Sequence, residues 1–155
     1  MRWTPKNTSW GGSVLRHDGK YYMAAAEMAN GCTLGQWQTN SQVALAVSDT
    51  PEGPYVKQAV PVPPWTHNPQ VIRAADGTFL IFALGNGTLS PHGPVKQCAG
   101  AEAHARRALG PAPPPRDAED TNQTVGFTIH FASSLAGPWR ALNATIPNFR
   151  TADNM

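Results

Sequence analysis

Charge is scarce in this chain. Only 14% of its residues are Asp, Glu, Lys or Arg, and twelve basic against ten acidic side chains leave a formal net charge of +2 with no clustered basic face. That excludes the electrostatic footprint of a nucleic-acid binder. Long apolar runs are missing too: nothing approaches the roughly eighteen consecutive apolar residues of a spanning helix, so no membrane insertion is expected. No apolar stretch follows Met1-Arg2-Trp3-Thr4-Pro5, so this segment shows no signal peptide. Cysteine is limited to Cys32 and Cys98. They form no C-x-x-C pair and join no His/Cys cluster at ligand spacing, so neither a metal site nor a cofactor is expected. The pair reads either as two buried thiols or as a disulfide. The disulfide would close a loop of about 66 residues and contribute roughly 4 kcal/mol in the chain-entropy picture.

Fifteen prolines and fourteen glycines are present, mostly between short β-branched or aromatic runs, which is the punctuation of hairpins. The chain also repeats itself. Ser13-Val14-Leu15-Arg16-His17-Asp18-Gly19-Lys20-Tyr21-Tyr22 is echoed by Gln70-Val71-Ile72-Arg73-Ala74-Ala75-Asp76-Gly77-Thr78-Phe79. In both copies an apolar strand runs into Asp-Gly, where glycine supplies the positive φ of a tight turn, and an aromatic strand returns. A second element, Val43 to Tyr55 with Gly53-Pro54-Tyr55, recurs as Ile129 to Trp139 with Gly137-Pro138-Trp139. Residues 87–124 interrupt the second unit with a Pro/Ala-rich composition that reads as a long loop insertion, with one helical turn near Ala101 to Leu109. Each unit then holds strands A, B, C and D, one four-stranded antiparallel blade. The expected fold is all-β: a β-propeller piece with blade one over about 10–62, blade two over about 66–147 and the start of a third over about 150–155. Two blades cannot close a ring, so the remaining blades of a larger parent are expected partners.

In such a blade the start of A, the end of B and the start of C share one rim. Trp10-Gly11-Gly12, His67-Asn68-Pro69, Glu27 and Asn40-Ser41 fall on it, and Asp153-Asn154 would join them. Sorting the carboxylates this way leaves Glu27 and Asp153 as the weak catalytic candidates; either also reads as an ordinary solvated or hydrogen-bonded group. Trp10, Asn40, His67 and Asn68 are the candidate substrate-binding residues. Trp10, Trp37 and Trp65 could stack on a sugar face or simply pack blades together, and Asn68 could contact a ligand or cap the turn before Pro69. Sequons at Asn7, Asn86, Asn122 and Asn143 favour the secretory pathway and secretion, against coincidence in a Thr-rich chain.

The residues Ser9-Trp10-Gly11-Gly12-Ser13-Val14 with Asp18-Gly19-Lys20-Tyr21-Tyr22, His67-Asn68-Pro69-Gln70-Val71 with Asp76-Gly77-Thr78-Phe79, and Ala132-Ser133-Ser134-Leu135-Ala136-Gly137-Pro138-Trp139 resemble the five-bladed propeller glycosidases of glycoside hydrolase family 43 and its furanosidase relatives. The resemblance implies a carbohydrate partner and two-carboxylate hydrolysis of O-glycosyl bonds in the parent. It places a base Asp at the first A strand, a tuning Asp at the second and an acid Glu at the third. Here the first position holds Trp10-Gly11-Gly12 and the second His67-Asn68, while the third lies beyond this sequence. The alternatives are a non-catalytic glycan-binding propeller and an interaction scaffold that uses the insertion.

Overall fold

The computed structural model describes residues 8–88, 90, 92–98 and 127–143. Eight strands form along them: β1 (Ser9–His17), β2 (Lys20–Met28), β3 (Ser41–Ser48), β4 (Val56–Val62), β5 (His67–Arg73), β6 (Phe79–Leu84), β7 (Phe127–Ala132) and β8 (Arg140–Asn143). They make two four-stranded antiparallel sheets, ordered β1-β2-β3-β4 and β5-β6-β7-β8, as expected of an all-β propeller piece. Between β2 and β3 come two short 3₁₀ turns and a single helical turn, α1 (Trp37–Asn40).

The turns form for local reasons. Asp18 and Gly19 both take positive φ, 46° and 75°, so His17 pairs directly with Lys20 across a two-residue loop whose twist matches the strands. The second copy has one more residue and solves the turn differently. Ala74 N–H donates to the Thr78 carbonyl, and Asp76 Oδ1 accepts the Thr78 N–H at 2.9 Å, with Gly77 at φ 91°. Those hydrogen bonds from Thr78 hold the Asp76 carboxyl below its ordinary range. The Gly-Pro turns match each other more closely: Gly53 N–H donates to Thr50 and Gly137 N–H to Ser134.

Register then sorts the side chains. Ala24, Val43, Leu45 and Val62 face one way from the first sheet and meet Val71, Phe79, Ile81, Ala83 and Leu135 of the second. The core therefore lies between the sheets. Strands β1 and β5 pack against each other there, and the Val71 N–H crosses the interface to donate to Ser13 Oγ at 2.7 Å. In the repeat Val71 corresponds to Val14 and Ser13 to Gln70, so the bond joins positions one residue apart. Of the Pro/Ala-rich insertion, residues 90, 96 and 98 bond to the connection between β2 and β3. The helical turn expected near Ala101 to Leu109 and the start of a third blade lie outside the described residues.

Ile81 is fully buried in this interface. Ile81→Ala is expected to cost about 3 kcal/mol in chemical denaturation, as for other buried large-to-small changes. His130 is also buried between the sheets, its Nδ1 without a partner, and desolvation pushes its imidazole below the ordinary value. The unfolded chain takes up that proton first on acidification, so this contribution is present above about pH 6.5 and lost as the pH falls. Urea midpoints between pH 7.5 and 5 should therefore fall more steeply for the wild type than for His130→Gln.

Candidate functional site

Both inner strands are irregular at the same end. The β1–β2 register shifts between Trp10 and Gly12, and the β5–β6 register shifts between His67 and Gln70, so each strand carries a bulge at the rim. Bulges re-aim side chains, and here they bring the two strand starts together. Gly12 permits this: at φ 150°, a Cβ on it would lie 2.3 Å from the Ala24 carbonyl oxygen. Asn68, at φ 50° on the second bulge, has its Oδ1 beside Gly11.

The result is an aromatic cluster. The Trp10 and His67 rings stack at 6.4 Å and 19°, Trp37 stands edge-on to His67 at 5.0 Å, and Trp65 lies 4.8 Å from His67. Trp37 also contacts Trp10 at 6.4 Å and Trp65 at 6.0 Å. His67 is the fully buried hub, Trp65 is 5% exposed, and Trp10 and Trp37 are half-buried. Trp10 Nε1 and, at the start of β3, Ser41 Oγ are buried hydrogen-bonding atoms without partners. A fifth ring, His92, arrives from the insertion, edge-on to Trp65 at 5.7 Å, and is exposed. Nothing local in the sequence marks it, because a loop 25 residues downstream of His67 in the chain delivers it.

That loop is held by a clamp. Cys32 and Cys98 form a disulfide with Cα atoms 5.0 Å apart, which resolves the choice left open by sequence in favour of the bridge. Asn40, completely buried, pairs with the backbone of Lys96 in both directions: its Nδ2 donates to the Lys96 carbonyl at 2.8 Å and its Oδ1 accepts the Lys96 N–H at 3.1 Å. Its amide is further engaged by Ala29 and Thr39. Ser90 Oγ donates to the Gln38 carbonyl, and Asn30 Nδ2 donates to Lys96. Asn40, expected on the rim, is thus buried just before β3, where it holds the segment that carries His92.

Glu27 is displaced as well. It pairs with Gln42 and with Ser9, whereas Trp10 pairs with Ala26, so the carboxylate and the indole lie on opposite faces of the first sheet. Glu27 is 2% exposed, and its Oε2 accepts from Lys57 Nζ at 2.5 Å and from Gln42 Nε2 at 2.9 Å. The Glu27 carboxylate is therefore buried and paired on the far face of the sheet from Trp10. Asp153 lies outside the described residues, as do Asn7 and Asn122. Asn86 is exposed, its Oδ1 accepting from Thr88, and Asn143 ends β8. Among the described residues no group of His, Cys, Asp or Glu could hold a metal ion. The cluster can stack a ring and offer indole and imidazole nitrogens. It contains no carboxylate pair.

No family model matches this chain, and no curated protein matches it. Solved structures do. A GH43 β-1,3-galactosidase determined with galactodeoxynojirimycin is 14% identical with a TM-score of 0.53, over 87% of this chain and 33% of its own. A family 117 glycoside hydrolase from the marine bacterium Zobellia galactanivorans is 18% identical with a TM-score of 0.56, over 90% of this chain and 34% of its own. An exo-β-1,3-galactanase from Phanerochaete chrysosporium, determined with β-1,3-galactotriose, is 9% identical with a TM-score of 0.53, over 91% of this chain and 29% of its own. The chain thus spans about a third of these structures and shares their propeller glycoside-hydrolase fold.

If Glu27 is structural, Lys57→Met should strand a buried charge and cost about 3 kcal/mol, while the Glu27→Gln/Lys57→Met double variant should recover most of that loss. Denaturation of the two variants and the wild type measures both quantities.

Proposed function

We propose that the Trp10, Trp37, Trp65 and His67 cluster is the sugar-binding rim of a glycoside hydrolase that acts on O-glycosyl bonds of a carbohydrate. The observation that carries this reading is the meeting of both bulged strand starts in one aromatic surface, half-exposed at Trp10 and Trp37. An indole face offers an apolar plane with polarised edges, which suits the C–H face of a sugar ring. The unmet Trp10 Nε1 donor beside it is one a ligand oxygen would satisfy. In this reading Asn68 and His92 contact the glycan from the bulge and the loop. Asn40 acts as a positioning residue through the clamp. Hydrolysis needs an acid and a base or nucleophile, both carboxylates. With Glu27 engaged elsewhere, they come from Asp153 and from blades beyond this sequence. The disulfide and the sequons at Asn7, Asn86, Asn122 and Asn143 fit a secreted glycoprotein.

One observation favours a second reading, a non-catalytic glycan-binding propeller. Trp10-Gly11-Gly12 occupies the inner-strand position where the resemblance calls for a base Asp, and Gly12 has no room for any side chain. Use of the insertion as a protein-interaction element is the weaker third.

The two leading readings separate in one experiment on full-length protein secreted with its disulfide intact. Turnover is measured on chromogenic arabinofuranosides, xylosides, galactosides and fructosides, and binding on a glycan array. Both readings require Trp10→Ala and Trp37→Ala to weaken glycan binding by about tenfold or more. Turnover supports the hydrolase, binding without turnover supports the lectin-like propeller, and undiminished binding in both variants removes the cluster as the site.

A further inference from the structure

At the rim opposite the aromatic cluster, where the Asp18-Gly19 turn faces the turn after β7, the two sheets diverge and leave a cleft of about 550 Å³. That volume is in the range of small-molecule sites. Leu45, Phe79 and Leu135, all buried, form its floor, and Tyr22 and Val47 extend the apolar wall. The His17 ring reaches across from the first sheet to stand edge-on to Phe79 of the second, with centroids 4.9 Å apart. Polar groups ring the mouth: the Gln58 amide from edge strand β4, and the exposed Ser133 and Ser134 from the turn after β7. The cleft exists only because both sheets contribute to it.

Its charges say what it would hold. Lys20 Nζ is bonded to Asp49 Oδ1 at 2.5 Å, and His17 Nε2 lies 3.2 Å from Asp18 Oδ2. Lys20 thus already has a carboxylate partner, and an anionic ligand would have to compete with that pair. A neutral ligand would not. An apolar, partly aromatic floor with a rim of hydroxyl and amide groups matches a polyhydroxyl ring that has one C–H face and several O–H edges.

We infer that this inter-sheet cleft is a second ligand site, for a neutral oligosaccharide, on the face of the molecule opposite the proposed substrate rim. The inference does not rest on that rim being a sugar site, since the two share no residue. A second site of this kind tethers a polymeric glycan without performing chemistry and raises its effective concentration at the first.

Amide and indole chemical shifts of the isotopically labelled full chain, titrated separately with xylotriose, arabinotriose and β-1,3-galactotriose, test it. Saturable shifts at Lys20, Gln58, Ser133 and Leu135 with at least one probe are expected. They should persist in Trp10→Ala/Trp37→Ala and weaken at least tenfold in Gln58→Ala/Ser133→Val, two exposed positions whose replacement leaves the spectrum otherwise dispersed. A second variant, Ala136→Trp, fills the cleft from an exposed position and should abolish them. Shifts confined to the aromatic rim, no cleft shifts with any probe, or cleft shifts indifferent to both cleft variants each overturn the inference. Silence of the Trp10 and Trp37 indole signals bears only on the rim.

Discussion

Everything in this molecule depends on one face-to-face contact between two sheets. A four-stranded sheet whose inner face carries Val43, Leu45 and Val62 has nowhere to bury that face by itself, and the second sheet, with Val71, Phe79, Ile81 and Ala83, has the same need. Pairing them meets both needs. The Val71 N–H to Ser13 Oγ bond fixes how far the sheets slide along each other, because it ties inner strand to inner strand one residue off the repeat register. Once that alignment is set, the two inner-strand bulges fall side by side, and so do Trp10 and His67. The rim cluster is a product of the core's register.

The polar architecture follows the same economy. Buried polar side chains are costly unless satisfied, and this chain satisfies Asn40 with four hydrogen bonds and Glu27 with two. Each is thereby committed to structure. Among the described residues, buried polar atoms without a partner include Trp10 Nε1 and Ser41 Oγ at one end, His130 Nδ1 between the sheets and Trp139 Nε1 after the Gly137-Pro138 turn.

The fold was legible because its code is local. Period-two alternation, Asp-Gly and Gly-Pro each act over a handful of residues, and two copies of the pattern identify a repeat without any knowledge of contacts. Even there, a single extra alanine before Asp76 changed the turn type, which the matching dipeptides hid. The site was half legible. Assigning strand ends to a common rim placed Trp10 and His67 near each other, and their rings do meet, whereas Trp37 and Trp65 entered only as aromatics that could stack or pack. The burial of Asn40 and Glu27 was not legible, because which face a strand-end side chain takes depends on a bulge one strand away and on partners such as Lys57 and Lys96 distant in sequence. His92 was invisible for the same reason: a loop of Pro/Ala-rich composition gives no hint that its opening residues are pinned to the other sheet.

That pinning makes the molecule mechanically lopsided. The segment ending at Cys98 belongs by chain order to the second sheet, yet its covalent bond and its backbone pairing are with the first. At the aromatic rim the sheets are thus riveted by a link that thermal motion cannot open. At the opposite rim, among the described residues, side chains such as His17 and Phe79 bridge the gap. Any spreading of the sheets must pivot about the rivet like the covers of a book about its spine, so the stacked rings hold their spacing while the far cleft absorbs the movement.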